Sequence, residues 1–186
     1  MAFIGIKVPH EVSRLLSQIE VPGERVPRDE KHLTCTYFGS NVPIDRISKA
    51  IVVAYEVASR TKPIQLLIEE VISFPKGDDG VPIIGSVVSP ELMIFQEDLC
   101  RSLDKAKVEY SKKYPEYKPH VCLAYAEDPI EPMAVGPFEW AAYEMVLWGG
   151  DSGDDKIFIT LPFSMPGKEA LYRKLVQARV RFPGLL

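Results

Sequence analysis

The sequence predicts an α+β fold built from antiparallel strands and a few helices. Its strands are joined by a mixture of hairpins and helices, which favours this class over a doubly wound parallel sheet. The order strand, helix, histidine-containing strand also occurs twice, first from strand 3–8 to the strand of His32 and again from strand 82–88 to that of His120. Such a duplicated unit, folded about a pseudo-twofold axis, would place the two histidine strands at its centre.

The first half of the chain alternates strands and helices. Residues 2–8 form an apolar strand that ends at a proline. The Pro- and Gly-rich stretch 21–29 predicts a loop, and the first histidine strand then occupies 32–39. A second helix is predicted over about 44–60, with a proline just before its first turn. The apolar residues that define the first helix are Val12, Leu15, Leu16 and Ile19.

The second half begins with two strands, over 63–74 and 82–88, separated by a turn rich in Gly and Asp. The second histidine strand follows a long helix, and a hairpin is predicted from 138–148 and 156–163 around an acidic tip. The apolar stripe of the long helix consists of Leu92, Phe95, Leu99, Leu103, Ala106 and Tyr110. A terminal helix is predicted from the spacing of Leu171, Leu175 and Ala178.

Length and charge limit the classes of function. The 186 residues suit a single domain, 1–186, or two closely packed lobes, and 46% hydrophobic residues allow a substantial core. The net charge of −4 argues against a basic stripe, so we expect no extended duplex nucleic acid as a partner. A small phosphorylated ligand held by a few local cations remains compatible with this charge.

Cysteine usage and hydropathy predict a cytoplasmic protein without a membrane partner. The three cysteines are an odd number with no short-spaced pair, as in a reduced intracellular protein. The N-terminal residues are too soon interrupted for a secretory signal, and no apolar run approaches the roughly 20 residues that cross a bilayer. No close cluster of His and Cys is present, so neither a metal site nor a cofactor is expected.

Two motifs carry the chemistry of the chain, His32-Leu33-Thr34 and His120-Val121-Cys122. Side chains alternate along a strand, so we expect His32, Thr34 and Thr36 on one face of the first strand. By the same alternation, one face of the second strand would carry His120, Cys122 and Ala124. Two imidazoles meeting in one pocket can act as general acid and general base without a metal. The third histidine, His10, follows a proline at a helix start and is expected at the surface.

With these motifs the chain resembles the two-histidine (2H) phosphoesterases, the superfamily of bacterial RNA 2′,3′-cyclic phosphodiesterases once called 2′–5′ RNA ligases. His32-Leu33-Thr34 matches the family's histidine-any-Thr/Ser motif, including the apolar continuation to Phe38-Gly39. His120-Val121-Cys122 matches in its histidine and its strand context, with Pro119 before it. The resemblance implies a bilobal α+β fold, with two pseudo-symmetric lobes of mostly antiparallel strands around a central cleft and the helices outside.

The resemblance implies catalytic roles for both motifs. His32 would act as acid and His120 as base when a 2′,3′-cyclic phosphate is opened, while Thr34 and Cys122 would hold the non-bridging oxygens. Cys122 departs from the family, because a thiol is a weak donor where a hydroxyl is usual. A nucleophilic role for Cys122 is disfavoured, since residues i and i+2 of a strand lie about 6–7 Å apart and a Cys–His pair needs hydrogen-bond contact.

Three further residues are predicted to bind substrate. Lys118 precedes His120 by two positions and would attract phosphate, whereas Lys31 should point away from the site into solvent. Trp148 and Tyr125 are candidates for stacking on a nucleobase, and Trp148 is expected at the rim of the cleft.

The sequence thus predicts a metal-independent phosphodiesterase whose substrate is a nucleotide or short oligonucleotide with a 2′,3′-cyclic phosphate or a 2′–5′ linkage. One alternative is a hydrolase of cyclic di- or oligonucleotide signals, as in some phage-encoded relatives that blunt host immunity. Another is a non-catalytic module that binds a nucleotide in the same cleft, for which Cys122 is the feature in favour.

Overall fold

The structure is a computed structural model that describes residues 1–114, 116–149 and 157–164. Its nine strands in the described residues are β1 (Ala2–Lys7), β2 (Glu24–Arg25), β3 (His32–Gly39), β4 (Ile64–Ser73), β5 (Val81–Val88), β6 (His120–Ala126), β7 (Met133–Ala142), β8 (Glu144–Gly149) and β9 (Ile157–Pro162). Its helices in the same ranges are α1 (His10–Leu16), α2 (Ile44–Arg60) and α3 (Pro90–Lys105), with a 3₁₀ turn at Arg28–Glu30.

The strands form two antiparallel sheets, one for each half of the predicted repeat. The first sheet has the order β3-β1-β8-β9, and the second has the order β2-β6-β5-β4-β7. The run β3-β1-β8 therefore corresponds to β6-β5-β4, with a histidine strand first in each run. The predicted α+β class and its pseudo-symmetric arrangement are confirmed.

The two longer helices follow the apolar periodicity of the sequence and pack against the sheets and each other. Helix α3 begins at Pro90 and is capped by Ser89, whose hydroxyl accepts a hydrogen bond from the Leu92 amide at 3.1 Å. It ends at Lys105, so the predicted stripe extends too far and Tyr110 lies beyond the helix. The buried faces consist of Ile47, Ala50, Val53, Ala54, Val57 and Ala58 in α2, and Leu92, Phe95, Leu99 and Leu103 in α3.

Two boundaries differ from the sequence prediction. The predicted strand 138–148 is two strands, because the chain leaves the second sheet at Ala142 and joins the first as β8. Only β8 and β9 form the hairpin. The predicted loop 21–29 contains β2, which pairs with β6. The hairpin tip and the predicted terminal helix lie outside the described residues.

Each histidine strand has a β-bulge at the same place, and the predicted alternation fails beyond it. In β3 the partners of Ile4 and Gly5 are Thr36 and Thr34, so Cys35 is unpaired. In β6 the equivalent unpaired residue is Leu123. One extra residue reverses the faces that follow. Thr36 and Ala124 are therefore buried, and the residues that share the histidine faces are Tyr37 and Tyr125.

No helix within the described ranges is long and apolar enough to cross a membrane.

Candidate active site

The two histidines occupy equivalent positions in the two sheets. His32 pairs with Lys7 at one end of the β1–β3 ladder, and His120 pairs with Ser86 at one end of the β5–β6 ladder. Strands β3 and β6 approach each other across the sheets, and a hydrogen bond of 3.1 Å from the Tyr117 hydroxyl to the Thr34 carbonyl ties them together. Both imidazoles are half-buried, so neither is sealed in the core.

Both rings are held by the same backbone contact. His32 Nδ1 lies 2.7 Å from the carbonyl oxygen of Glu30, and His120 Nδ1 lies 2.7 Å from that of Lys118. A carbonyl oxygen only accepts, so Nδ1 must carry the proton in each ring. Within the described residues neither Nε2 atom forms a hydrogen bond to protein. Each ring therefore offers a free Nε2, which accepts a proton when neutral and donates one when charged.

Aromatic side chains support the two imidazoles. The His32 ring stacks on Phe3, with centroids 4.6 Å apart, and Trp148 lies tilted against it at 5.6 Å. In the other half, Phe74 packs edge-on against His120 at 4.7 Å. Trp148 lies in β8, and Phe74 comes directly after the corresponding strand β4. These contacts and the backbone hydrogen bonds together hold each ring in position.

The surroundings of His120 favour its neutral form. Burial lowers the pKa of His120, and a positive charge on His32 lowers it further, although the hydrogen bond to the Lys118 carbonyl opposes the shift. The charge of His32 acts on His120 in keeping with the close approach of β3 and β6. At neutral pH the His120 ring is thus suited to accept a proton.

The two oxygen-holding candidates are not equivalent. Thr34 is half-buried on the face of His32, and among the described residues its hydroxyl has no protein partner. The Cys122 thiol lies 3.7 Å from the Ala124 carbonyl oxygen and 3.9 Å from that of Ile83. Burial raises the pKa of Cys122, so the group stays a thiol at neutral pH. This opposes a nucleophilic role.

The predicted substrate-binding residues lie around these histidines in different ways. The Lys118 side chain is exposed and pairs with Glu116 at 3.3 Å, while its carbonyl accepts from His120. Trp148 is half-buried, with its ring against Phe3 as well as His32. Tyr125 is 37% exposed on the histidine face of β6.

The expectation that Lys31 points into solvent is wrong. Its side chain is only 2% exposed, and its ammonium group donates a hydrogen bond of 2.6 Å to the Val26 carbonyl. Burial and the nearby charges of Arg25 and Arg28 lower the pKa of Lys31, which also interacts electrostatically with Cys122. The chain from β2 to β3 folds back over the lysine, so strand alternation alone does not predict its position.

Phe74 belongs to the site although its sequence context indicates only the start of a turn. Phe74 and Lys118 line an apolar recess beside His120, which has a volume of about 430 Å³. Ser86, the strand partner of His120, forms part of its floor, and Val88 and Met93 form part of its outer wall. We call this cavity the His120 recess. No group of three His, Cys, Asp or Glu residues in the described ranges is placed to hold a metal ion.

Comparison with known proteins identifies the family. The family model of the 2′-5′ RNA ligase superfamily matches residues 10–147, which include both histidine motifs. The chain belongs to this superfamily. Its members include the 2H phosphoesterases, so membership supports a phosphodiesterase-type activity in general terms. No curated protein matches the chain significantly.

Solved structures of this superfamily's fold resemble the chain over most of its length. TT0787 of Thermus thermophilus superposes with a TM-score of 0.71 at 19% identity, covering 90% of this chain and 99% of that one. E. coli LigT complexed with 3′-AMP gives a TM-score of 0.66 at 16% identity, covering 88% and 98%. At these identities the likeness establishes the fold.

Proposed function

We propose that this superfamily member hydrolyses a phosphodiester in a nucleotide or short oligonucleotide, either a 2′,3′-cyclic phosphate or a 2′–5′ linkage. The observation that carries the proposal is the matched pair of imidazoles, each with Nδ1 bound to the carbonyl two residues earlier and Nε2 free. Such a pair can move protons on both sides of a phosphorus atom without a metal ion.

The reaction follows from the difference between the two rings. Neutral His120 accepts a proton from water at Nε2 while the water oxygen bonds to phosphorus. One bond from phosphorus to a ribose oxygen breaks, and protonated His32 donates its Nε2 proton to that leaving oxygen. The Phe3 and Trp148 rings pack against the His32 imidazole and hold it in place for this donation. The next turnover requires the two rings to exchange a proton with solvent.

Thr34 contributes an oxygen-binding hydroxyl to this reaction. Negative charge builds up on the non-bridging oxygens as the water attacks, and a donor already in place stabilises that charge. The Thr34 hydroxyl faces the same side of β3 as His32 and is available for this role. Cys122 occupies the equivalent place in β6, where its thiol is a weaker donor.

A nucleotide fits the site better than a simple phosphodiester. The His120 recess is large enough for a nucleobase and mostly apolar, and it begins at the Phe74 ring that touches His120. Lys118, at the edge of the recess, can attract a second phosphate once its contact with Glu116 opens. LigT structures complexed with 3′-AMP and ATP offer a precedent for nucleotide binding by this fold.

The three cysteines fit a reducing compartment. Cys35, Cys100 and Cys122 are all free thiols. We therefore expect the protein to act in the cytoplasm, where thiols stay reduced.

The deciding experiment is a product assay in EDTA with 2′,3′-cyclic nucleotides, 2′–5′ oligoadenylate and cyclic dinucleotides, analysed by chromatography. The proposal expects turnover of one of the first two substrates, and its loss in His32→Ala and His120→Ala variants. Turnover of cyclic dinucleotides alone would favour the signal-hydrolase alternative. Binding of a nucleotide without any product would favour sequestration, the alternative that the thiol of Cys122 supports.

A further inference from the structure

Tyr125 reaches the site only because of the bulge in β6. Without the unpaired Leu123, this tyrosine would point to the face opposite His120 and Cys122. Its backbone is held between two strands, pairing with Glu24 of β2 and Pro82 of β5. The Cα and Cβ atoms of Tyr125 are therefore held in place, while 37% of the residue remains exposed to solvent.

Tyr125 and Cys122 influence each other electrostatically on this face. Burial of the phenol, together with Cys122, raises the pKa of Tyr125 to about 12. The hydroxyl therefore keeps its proton over the whole physiological range and is a full-strength donor. The thiol, in contrast, lies near the carbonyl oxygens of Ile83 and Ala124, and any hydrogen bond that it donates is directed to backbone.

The His32 half of the site also presents a tyrosine, but it has a hydroxyl where the His120 half has a thiol. Its bulge presents Tyr37, which is 39% exposed, at the position equivalent to Tyr125. That half already has the Thr34 hydroxyl beside His32. Only the second half thus combines a thiol at the oxygen-binding position with a phenol next to it.

We propose that the Tyr125 hydroxyl, rather than the Cys122 thiol, donates the hydrogen bond to a non-bridging phosphate oxygen in the second half of the site. This inference rests on the proposed function for its substrate. It assigns Tyr125 a role in binding the phosphate instead of stacking on a base. No covalent bond changes at Tyr125, which keeps its proton throughout.

The test compares Tyr125→Phe with the matched variant Tyr37→Phe. Each removes one hydroxyl and leaves the ring. Losing a hydrogen bond to a charged group lowers kcat/KM by roughly 10- to 100-fold, and we expect this loss for Tyr125→Phe. For Tyr37→Phe we expect kcat/KM to stay within about twofold of the wild type, because the Thr34 hydroxyl binds phosphate in that half of the site. Binding of inorganic phosphate, measured by calorimetry, should weaken in Tyr125→Phe and not in Tyr37→Phe.

A second comparison separates donation from stacking. Introducing Cys122→Thr into the Tyr125→Phe protein restores a hydroxyl and should recover about tenfold of the lost activity, near the value of one hydrogen bond. If Tyr125→Phe matches the wild type while Tyr125→Leu is impaired, the ring stacks and the inference is overturned.

The outcome also distinguishes this inference from the proposed function. Turnover in the wild type that survives Tyr125→Phe unchanged overturns the inference and leaves the function intact. If the wild type turns over none of the substrates, and Tyr125→Phe binds phosphate more weakly than the wild type, the inference is supported and the proposed function is rejected. A wild type that binds no phosphate contradicts the inference directly.

Discussion

Replacing His120 by asparagine separates the catalytic atom of the ring from its structural contact. The Nδ1 atom donates to the Lys118 carbonyl at 2.7 Å, and the Nε2 atom is free. An asparagine amide can reproduce the first contact, because its nitrogen lies near the position of Nδ1. It has no atom at the place of Nε2 and does not titrate. The same reasoning applies to His32 and the Glu30 carbonyl.

The expected loss in kcat follows from the general size of acid–base catalysis, and the expected loss of stability follows from the contacts of the ring. A general acid or base contributes roughly 10²- to 10⁴-fold to a rate, so His120→Asn should lower kcat by that factor. The double variant with His32→Asn should lose much less than the product of the two, because the residues act as a unit. The cost in folding free energy is limited to the edge contact with Phe74, about 0.5–1.5 kcal/mol. His120→Ala adds the lost hydrogen bond, about 1 kcal/mol more.

The assay is single-turnover opening of the 2′,3′-cyclic nucleotide in EDTA, with thermal unfolding of each variant as the measure of stability. Loss of activity with a nearly unchanged unfolding midpoint is the predicted combination for His120→Asn. The reasoning would be refuted if this variant kept more than about a tenth of wild-type kcat, since proton transfer contributes far more than that. It would also be refuted if asparagine destabilised the fold as much as alanine, because the backbone contact would then not be the one described.

Three other predictions test neighbouring parts of the site. Because burial lowers the pKa of His120 from 6.5, the acidic limb of a kcat/KM profile should lie below pH 6.5. The same shift means that the unfolded chain binds more protons than the folded one, so the free energy of unfolding, measured by urea titration, should decrease as pH drops below 6.5. Cys122→Thr should be as active as the wild type or more so in the cyclic-phosphate assay, and a large loss would show a different role for the thiol. Gly5→Ala should destabilise the protein by about 1–3 kcal/mol in thermal unfolding, since its Cβ would collide with the Leu33 carbonyl and meet the Trp148 ring at 3.3 Å.

The elements that the sequence predicted best are those whose burial pattern is simple. Helices α2 and α3 each bury one face, so apolar residues recur at helical spacing and reveal both helices, although the stripe of α3 continues past its end. Strands β3 and β6 begin at their histidines, as expected. The pairing of the two motifs also followed from element order, because both histidine strands come after equivalent strand–helix units.

The features that escaped prediction depend on which strands meet. A bulge is created by the register against a partner strand, and nothing in the local sequence around Cys35 or Leu123 distinguishes an unpaired residue. The switch of sheets at Tyr143 is hidden for the same reason. Lys31 is buried because a loop folds over it. Each of these outcomes is decided by tertiary contacts that a single sequence does not contain.

Symmetry of the backbone combined with asymmetry of the side chains explains how one site can hold an acid and a base. Both histidine strands use the same bulge and the same hydrogen bond from Nδ1 to the carbonyl two residues earlier. If the surroundings were also identical, neither ring would be preferred for either role. Burial of His120 and the charge of the neighbouring His32 favour a neutral His120 ring, which suits it to accept a proton. In the proposed reaction, the choice of His120 as base is therefore favoured by its surroundings rather than by the backbone geometry that the two motifs share.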